Sequence, residues 1–181
     1  PMELTRRDAL AALASAGVVE RGGTAVLARE RREGAPAVTG RAPDARLLDA
    51  LVATAEVVYP DEISGVRRFV ETYSLGRLDA RPAYHEGVRD AVEELEEHAR
   101  AWHGEPYVGL EAGTRDALLR EMGVDAAEED PEGTAAERVR FYVLNELLFA
   151  LYSSPTGGAL VGIENPQGYP GGIDSYRRGP R

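Results

Sequence analysis

Between Thr134 and Tyr152 the chain carries Val139, Phe141, Tyr142, Val143, Leu144, Leu147, Leu148, Phe149, Leu151 and Tyr152, so apolar groups surround this stretch on most sides. A helix of that kind is stable in water only when neighbouring elements cover it. Thr134-Ala135-Ala136-Glu137 opens the stretch with the pattern of a capping box, in which two backbone N–H groups are satisfied by side chains. The rest of the chain must therefore supply amphipathic partners, with this helix as the central and most buried one.

Those partners are legible. Asp44 is placed to cap a helix in which Leu47, Leu48, Leu51, Val52, Ala55 and Val58 recur at three-and-four spacing, ended by Tyr59-Pro60-Asp61. Ser64 opens a second helix with Val66, Phe69, Val70 and Tyr73 inward, stopping near Gly76. A third, from about Pro82 to Trp102, has one stripe of Tyr84, Val88, Ala91, Val92, Leu95, Ala99 and Trp102 and a charged opposite face. A shorter helix spans Thr114 to Met122, and an acidic loop, Asp125 to Glu132, leads to the capping box. No strand-like alternation persists. The expected fold class is all-α, a small irregular helical bundle with a Gly/Pro-rich C-terminal extension. The expected divisions are a signal segment at 1–19, a linker at 20–43, a helical domain at 44–153 and a tail at 154–181. The tail is read as packing on the domain or on a partner.

Residues 5–10, Thr-Arg-Arg-Asp-Ala-Leu, precede a mild apolar run from Ala9 to Val19. A charged start followed by a short apolar stretch has the shape of an export signal, and the adjacent Arg6 and Arg7 make it the twin-arginine type. Ala9 stands where that pattern usually has phenylalanine. The other reading is an ordinary helix opening the domain. Ala14-Ser15-Ala16 resembles a small-residue cleavage site but lies inside the apolar run.

Composition narrows the chemistry. The chain has no cysteine, which excludes disulfides, thiolate metal sites and covalent c-type haem. The formal net charge of -10 argues against nucleic acid or an anionic membrane surface as a partner. All 21 basic residues are arginine. High-GC coding accounts for that, as does a salt-rich habitat in which dense carboxylates keep a protein hydrated. No run reaches the roughly 18 apolar residues of a spanning helix.

No motif assembles an active site. His98 and His103, five residues apart, do not share a helical face, and His85 lies more than three turns from His103. Glu146 beside Asn145 interrupts the apolar helix, where a carboxylate either titrates unusually or finds a hydrogen bond. Glu93, Glu94, Glu96 and Glu97 point in different directions around their helix. Ser153, Ser154 and Ser175 lack the Gly-x-Ser-x-Gly elbow, and no Gly-x-Gly-x-x-Gly follows a strand. Asn165, Pro166, Gly168, Tyr169, Pro170 and Tyr176 combine restricted backbone with amphipathic rings, a composition suited either to docking a partner or to packing over the chain's own helices.

Three stretches resemble the gluconate 2-dehydrogenase subunit 3 family. They are residues 51–60 (Leu-Val-Ala-Thr-Ala-Glu-Val-Val-Tyr-Pro), residues 65–70 (Gly-Val-Arg-Arg-Phe-Val), and the run from Phe141 to Gly172 that passes Gly157-Gly158 and reaches Gly168-Tyr169-Pro170-Gly171. Where family members often carry a Gly-Trp-Lys-like step, this chain has residues 163–167, Ile-Glu-Asn-Pro-Gln. The resemblance implies a non-catalytic accessory subunit of an FAD-dependent dehydrogenase of the glucose-methanol-choline type, acting on gluconate, another sugar or an alcohol. FAD would reside in the large partner subunit and none in this chain, and a haem-bearing subunit often completes such a complex. The small subunit would stabilise the large one and carry its twin-arginine export address, Arg6 and Arg7. Docking is expected at Tyr59, Pro60, Asn165, Pro166, Gly168, Tyr169, Pro170 and Gly171. Membrane association would arise only through the complex or an uncleaved signal. Two rival readings remain: a transient export chaperone, and an independent exported enzyme or metal-binding protein using Glu146 or the histidines.

Overall fold

The structure, a computed structural model, describes residues 2–17 and 41–162. In chain order it contains β1 (Met2–Glu3), α1 (Arg6–Ser15), α2 (Arg41–Val58), β2 (Ile63–Ser64), α3 (Val66–Ala80) and α4 (Pro82–His103). A 3-10 turn (Tyr107–Gly109), α5 (Ala112–Glu121), α6 (Ala135–Val139), a π-helical stretch (Arg140–Leu144), α7 (Asn145–Ser153) and α8 (Pro155–Leu160) follow. The fold class is all-α, as the periodicity predicts; the only strands among the described residues are the two short ones, paired in parallel with Met2 opposite Ile63 and Glu3 opposite Ser64. The chain divides into two compact units.

One unit combines β1, α1, β2, α3, the end of α7 and α8. Leu4, Ala9, Ala12 and Leu13 are buried together with Phe69, Val70 and Tyr73. Helix α3 was expected to stop near Gly76 but continues to Ala80. Gly76 serves packing instead: a Cβ there would lie 2.7 Å from a Leu13 methyl, so the missing side chain is what lets α1 lie against α3. Fully burying a leucine such as Leu13 contributes roughly 1.5–3 kcal/mol. Gly65, at φ +76, turns the chain from β2 into α3, and a Cβ would lie 2.3 Å from the Leu4 carbonyl oxygen.

The helix break expected at Ser154 is present, but the chain does not then become irregular. Ser154 caps a new short helix, accepting from the Gly157 N–H at 3.0 Å, and Pro155 occupies the first turn. Proline fits there because its missing N–H has no helical partner to lose.

The other unit combines α2, α4, the 3-10 turn, α5, α6, the π-helical stretch and the start of α7. Helix α2 already runs at Arg41, so Asp44 lies inside it rather than at its cap, and Pro43 falls in the first turn, where it is tolerated. Leu95 and Ala99 of α4, Leu118 of α5, and Val139, Val143 and Leu147 are all buried here. The capping box at Thr134 forms as expected, with the Glu137 carboxylate accepting from the Thr134 N–H at 2.7 Å. Arg115 fastens three elements, donating to the carbonyls of Leu110 at 2.8 Å and Ala53 at 3.1 Å and pairing with Glu56 at 3.3 Å.

The stretch expected to be a single buried α-helix differs in two ways. Its middle widens to a π-helix, in which the Asn145 N–H reaches back to the Arg140 carbonyl. Its cover is also incomplete: Phe149 and Tyr152, three residues apart and so on one face of α7, are 44% and 41% exposed.

A Gly157→Ala substitution should be severe, because its Cβ would stand 1.9 Å from the Leu151 carbonyl oxygen, a backbone atom that cannot swing away. We expect a loss of at least roughly 2 kcal/mol. Gly113→Ala, where nothing lies within 4 Å, should instead stabilise α5 by about 0.5 kcal/mol. Urea titration of the two variants measures the contrast.

Candidate functional site

The residues singled out by sequence fall in separate places. Arg6 and Arg7 open α1, Arg6 half-buried and Arg7 exposed. The residue after them, Asp8, is only 5% exposed and organises the surroundings. Its carboxylate accepts from the Thr5 N–H at 2.9 Å and from the Thr5 hydroxyl, completing a capping box at the start of α1. The other oxygen accepts from the Thr156 N–H, also at 2.9 Å, in the first turn of α8. One carboxylate thus serves the positive ends of two helices. Burial pushes the Asp8 pKa upward, but the hydrogen bonds from Thr5 and Thr156 outweigh it and hold the group below its ordinary value. Asp8 was not singled out from sequence, although Thr5-Arg6-Arg7-Asp8 has capping-box spacing that was readable there.

Tyr59 is 5% exposed and its hydroxyl donates to the Leu147 carbonyl at 2.8 Å, so its ring faces the interior of its unit rather than solvent. Burial, with the Glu146 charge adding to it, pushes the phenol far above its usual range. Glu146, the candidate acid or base, is half-buried on the same helix as this contact. Its neighbour Asn145 donates to Glu129. Pro60 is half-buried beside Tyr59. Asn165, Pro166, Gly168, Tyr169, Pro170 and Gly171 lie outside the described residues, as do Ser175 and Tyr176.

The histidines do not converge. His98 bonds the Glu94 carbonyl through Nδ1 at 2.8 Å and meets Trp102 edge-on, with ring centroids 5.1 Å apart. His85 lies 3.5 Å from the Arg89 guanidinium, and His103 is exposed in the last turn of α4. Among the described residues no group of three or more His, Cys, Asp or Glu side chains could hold a metal ion. Ser154 is occupied as a helix cap, its hydroxyl donating to the Leu151 carbonyl at 2.6 Å.

An open groove of about 630 Å³ lies between α4 and the residues around the second capping box. Glu86, Asp90, Glu93, Glu97 and Glu132 line it, with Arg138 and Tyr142. Tyr142, in the π-helical stretch, rests on Gly87 of α4, where a Cβ would come within 2.3 Å of its ring, and leans on Tyr84 at a centroid distance of 5.6 Å. Arg138 pairs with Glu94 and donates to the Gly133 carbonyl, tying the acidic loop to α4. Glu93, Glu94, Glu96 and Glu97, which point in different directions around α4, divide accordingly. Glu94 and Glu96 are engaged, Glu96 with Arg100 at 3.1 Å and with the Tyr107 N–H at 3.2 Å, while Glu93 and Glu97 face water. Nothing in this groove pairs a nucleophile with a base.

A family model described as Gluconate 2-dehydrogenase subunit 3 matches residues 43–171, well over half of the chain. Proteins of that family are accessory subunits of a membrane-associated dehydrogenase complex and hold no cofactor of their own. No curated protein and no solved structure matches the chain. Among the described residues, no helix is long and apolar enough to cross a membrane.

Two measurements check these placements. Tyr59→Phe, which removes the donor to Leu147, should cost about 1 kcal/mol by urea titration. For Asp8 the folded-state pKa is lowered, so its contribution is fully present above the unfolded value near 4 and is lost as pH falls through the folded one. The gap in thermal midpoint between the wild type and Asp8→Asn should therefore be open at pH 7 and close progressively below about pH 4.

Proposed function

Because this chain belongs to the gluconate 2-dehydrogenase subunit 3 family, we propose that it is the non-catalytic small subunit of an FAD-dependent sugar or alcohol dehydrogenase, which it stabilises and helps to export. The carrying observation is where the family match lies. It takes in nearly all of α2, the helices that follow and the glycine- and proline-rich residues up to 171, and leaves residues 1–42, with α1, outside. Those outer residues hold Arg6, Arg7 and the apolar run of a twin-arginine address, followed by a glycine- and charge-rich tether.

The division of labour follows from the chemistry. A large flavoprotein of the glucose-methanol-choline type folds around FAD before it crosses a membrane, so its address must act on an already folded cargo. A small subunit that binds the flavoprotein first and carries the twin-arginine signal exports both together. Docking is assigned to Pro60 and to Asn165, Pro166, Gly168, Tyr169, Pro170 and Gly171, where restricted backbone lowers the entropy lost on binding. Tyr59 contributes by holding the turn from inside. In this reading FAD would be held by the large partner subunit, which would supply the oxidation of the substrate, and a haem-bearing subunit often completes complexes of this kind.

Co-expression with the neighbouring flavoprotein tests this reading. With the wild-type chain, the flavoprotein should appear outside the cytoplasm and co-elute with the small subunit. With Arg6→Lys and Arg7→Lys together, export of both should fall by an order of magnitude or more while the complex still forms inside the cell. Export of an active flavoprotein in cells lacking this chain would remove the basis of the proposal.

A further inference from the structure

We propose that the segment carrying the arginine pair is not cut away: the mature subunit keeps β1 and α1 as parts of its fold, and Ala14-Ser15-Ala16 is not a processing site. The inference rests on the export role proposed for Arg6 and Arg7. It concerns the fate of that address once it has been used.

A disposable leader leaves the body of a protein complete when it is removed. Here the body is shaped to receive the segment. Two glycines make room for it: a Cβ on Gly65 would stand 2.3 Å from the Leu4 carbonyl oxygen, and one on Gly76 would stand 2.7 Å from a Leu13 methyl. Helix α1 packs chiefly on α3 and also meets α8. Leu4, Ala9, Ala12 and Leu13 are at most 3% exposed, so they belong to the core of their unit. Removing them would uncover the face of α3 on which Leu13 now lies.

The polar groups make the same demand. In the first turn of α8 the Thr156 N–H donates to the Asp8 carboxylate at 2.9 Å, while the next N–H, of Gly157, donates to Ser154. A cut after Ala16 would strip the start of α8 of one of these two side-chain acceptors. The Glu62 and Ser64 carbonyls would lose the Met2 and Leu4 N–H groups that reach them at 2.9 Å and 2.8 Å.

The small-residue stretch itself is closed to a peptidase. Proteolysis acts on locally opened chain, whereas α1 runs through Ser15. The Ala16 N–H donates to the Ala12 carbonyl at 3.0 Å and the Gly17 N–H to the Ala14 carbonyl at 3.1 Å. The Ser15 hydroxyl donates to the Ala11 carbonyl at 2.9 Å. Cleavage there requires the last turn of α1 to unwind, and the burial of Ala12 and Leu13 opposes that.

Intact-mass measurement of the chain recovered outside the cytoplasm is the first test. That chain should have the same mass as the one inside the cell, with residues 1–17 present. A second measurement asks whether α1 is still seated. In the exported chain Gly76→Val should lower the thermal midpoint by roughly 3 °C or more, because the valine and Leu13 compete for one space. Leu13→Ala should cost less in the Gly76→Val background than alone, since it vacates that space. Were α1 gone, the valine would meet no Leu13. As a better helix former than glycine, it would then leave the midpoint unchanged or raise it. An exported chain shortened after Ala16 would overturn the inference, as would a Gly76→Val chain at least as stable as wild type. If Arg6→Lys with Arg7→Lys leaves export intact, the export reading itself falls, while mass and midpoint still decide retention. If that double variant blocks export and the exported wild type lacks α1, only the retention inference falls.

Discussion

The unit that combines α2, α4, α5, α6 and the start of α7 depends on the cover of one long apolar segment. From Val139 to Leu151 the chain is too hydrophobic to stand in water, and among the described residues helices supply its cover. The segment contributes Val143 and Leu147 to one compact unit and Ala150 and Leu151 to the other. Where coverage stops, as at Phe149 and Tyr152, aromatic surface is left in contact with water.

Close approach between elements depends on a few glycines rather than on large interlocking side chains. Gly76 admits Leu13, Gly87 admits the Tyr142 ring, and Gly157 admits the Leu151 carbonyl. In each case the neighbour occupies space that a Cβ would fill. A chain rich in alanine and glycine thus obtains dense packing by bringing helices close together, with aromatic residues such as Tyr73 and Tyr107 filling what remains. The phenol of Tyr107, pushed up to about 12 chiefly by burial, stays neutral and bonds Thr54. It adds no charge to the core.

Among the described residues, charged side chains fasten loops to helices. Arg115 joins α2, the 3-10 turn and α5, and Arg138 secures the acidic loop to α4. Arginine suits both positions because its planar fork serves several acceptors at once. Asp8 acts similarly for two helix starts. The resulting molecule has anchored carboxylates and buried phenols but no described arrangement of nucleophile, base and electrophile.

By itself the sequence determined the helical class, because apolar spacing of three and four persists in every long element and strand alternation in none. It also determined the capping box at Thr134 and the family, whose short motifs survive in linear order. Tertiary structure alone decided the fate of individual residues. Gly76 reads locally as a helix stop, yet α3 passes through it because Leu13, sixty-three positions earlier, needs the room. Tyr59 reads as a surface turn residue, yet its hydroxyl bonds Leu147 eighty-eight positions away. Asp8 reads as part of an address, yet it bonds Thr156. The physical reason is common to all three: periodicity and caps act over a few residues, whereas burial and hydrogen-bond partners are set by whichever distant segment the fold brings alongside.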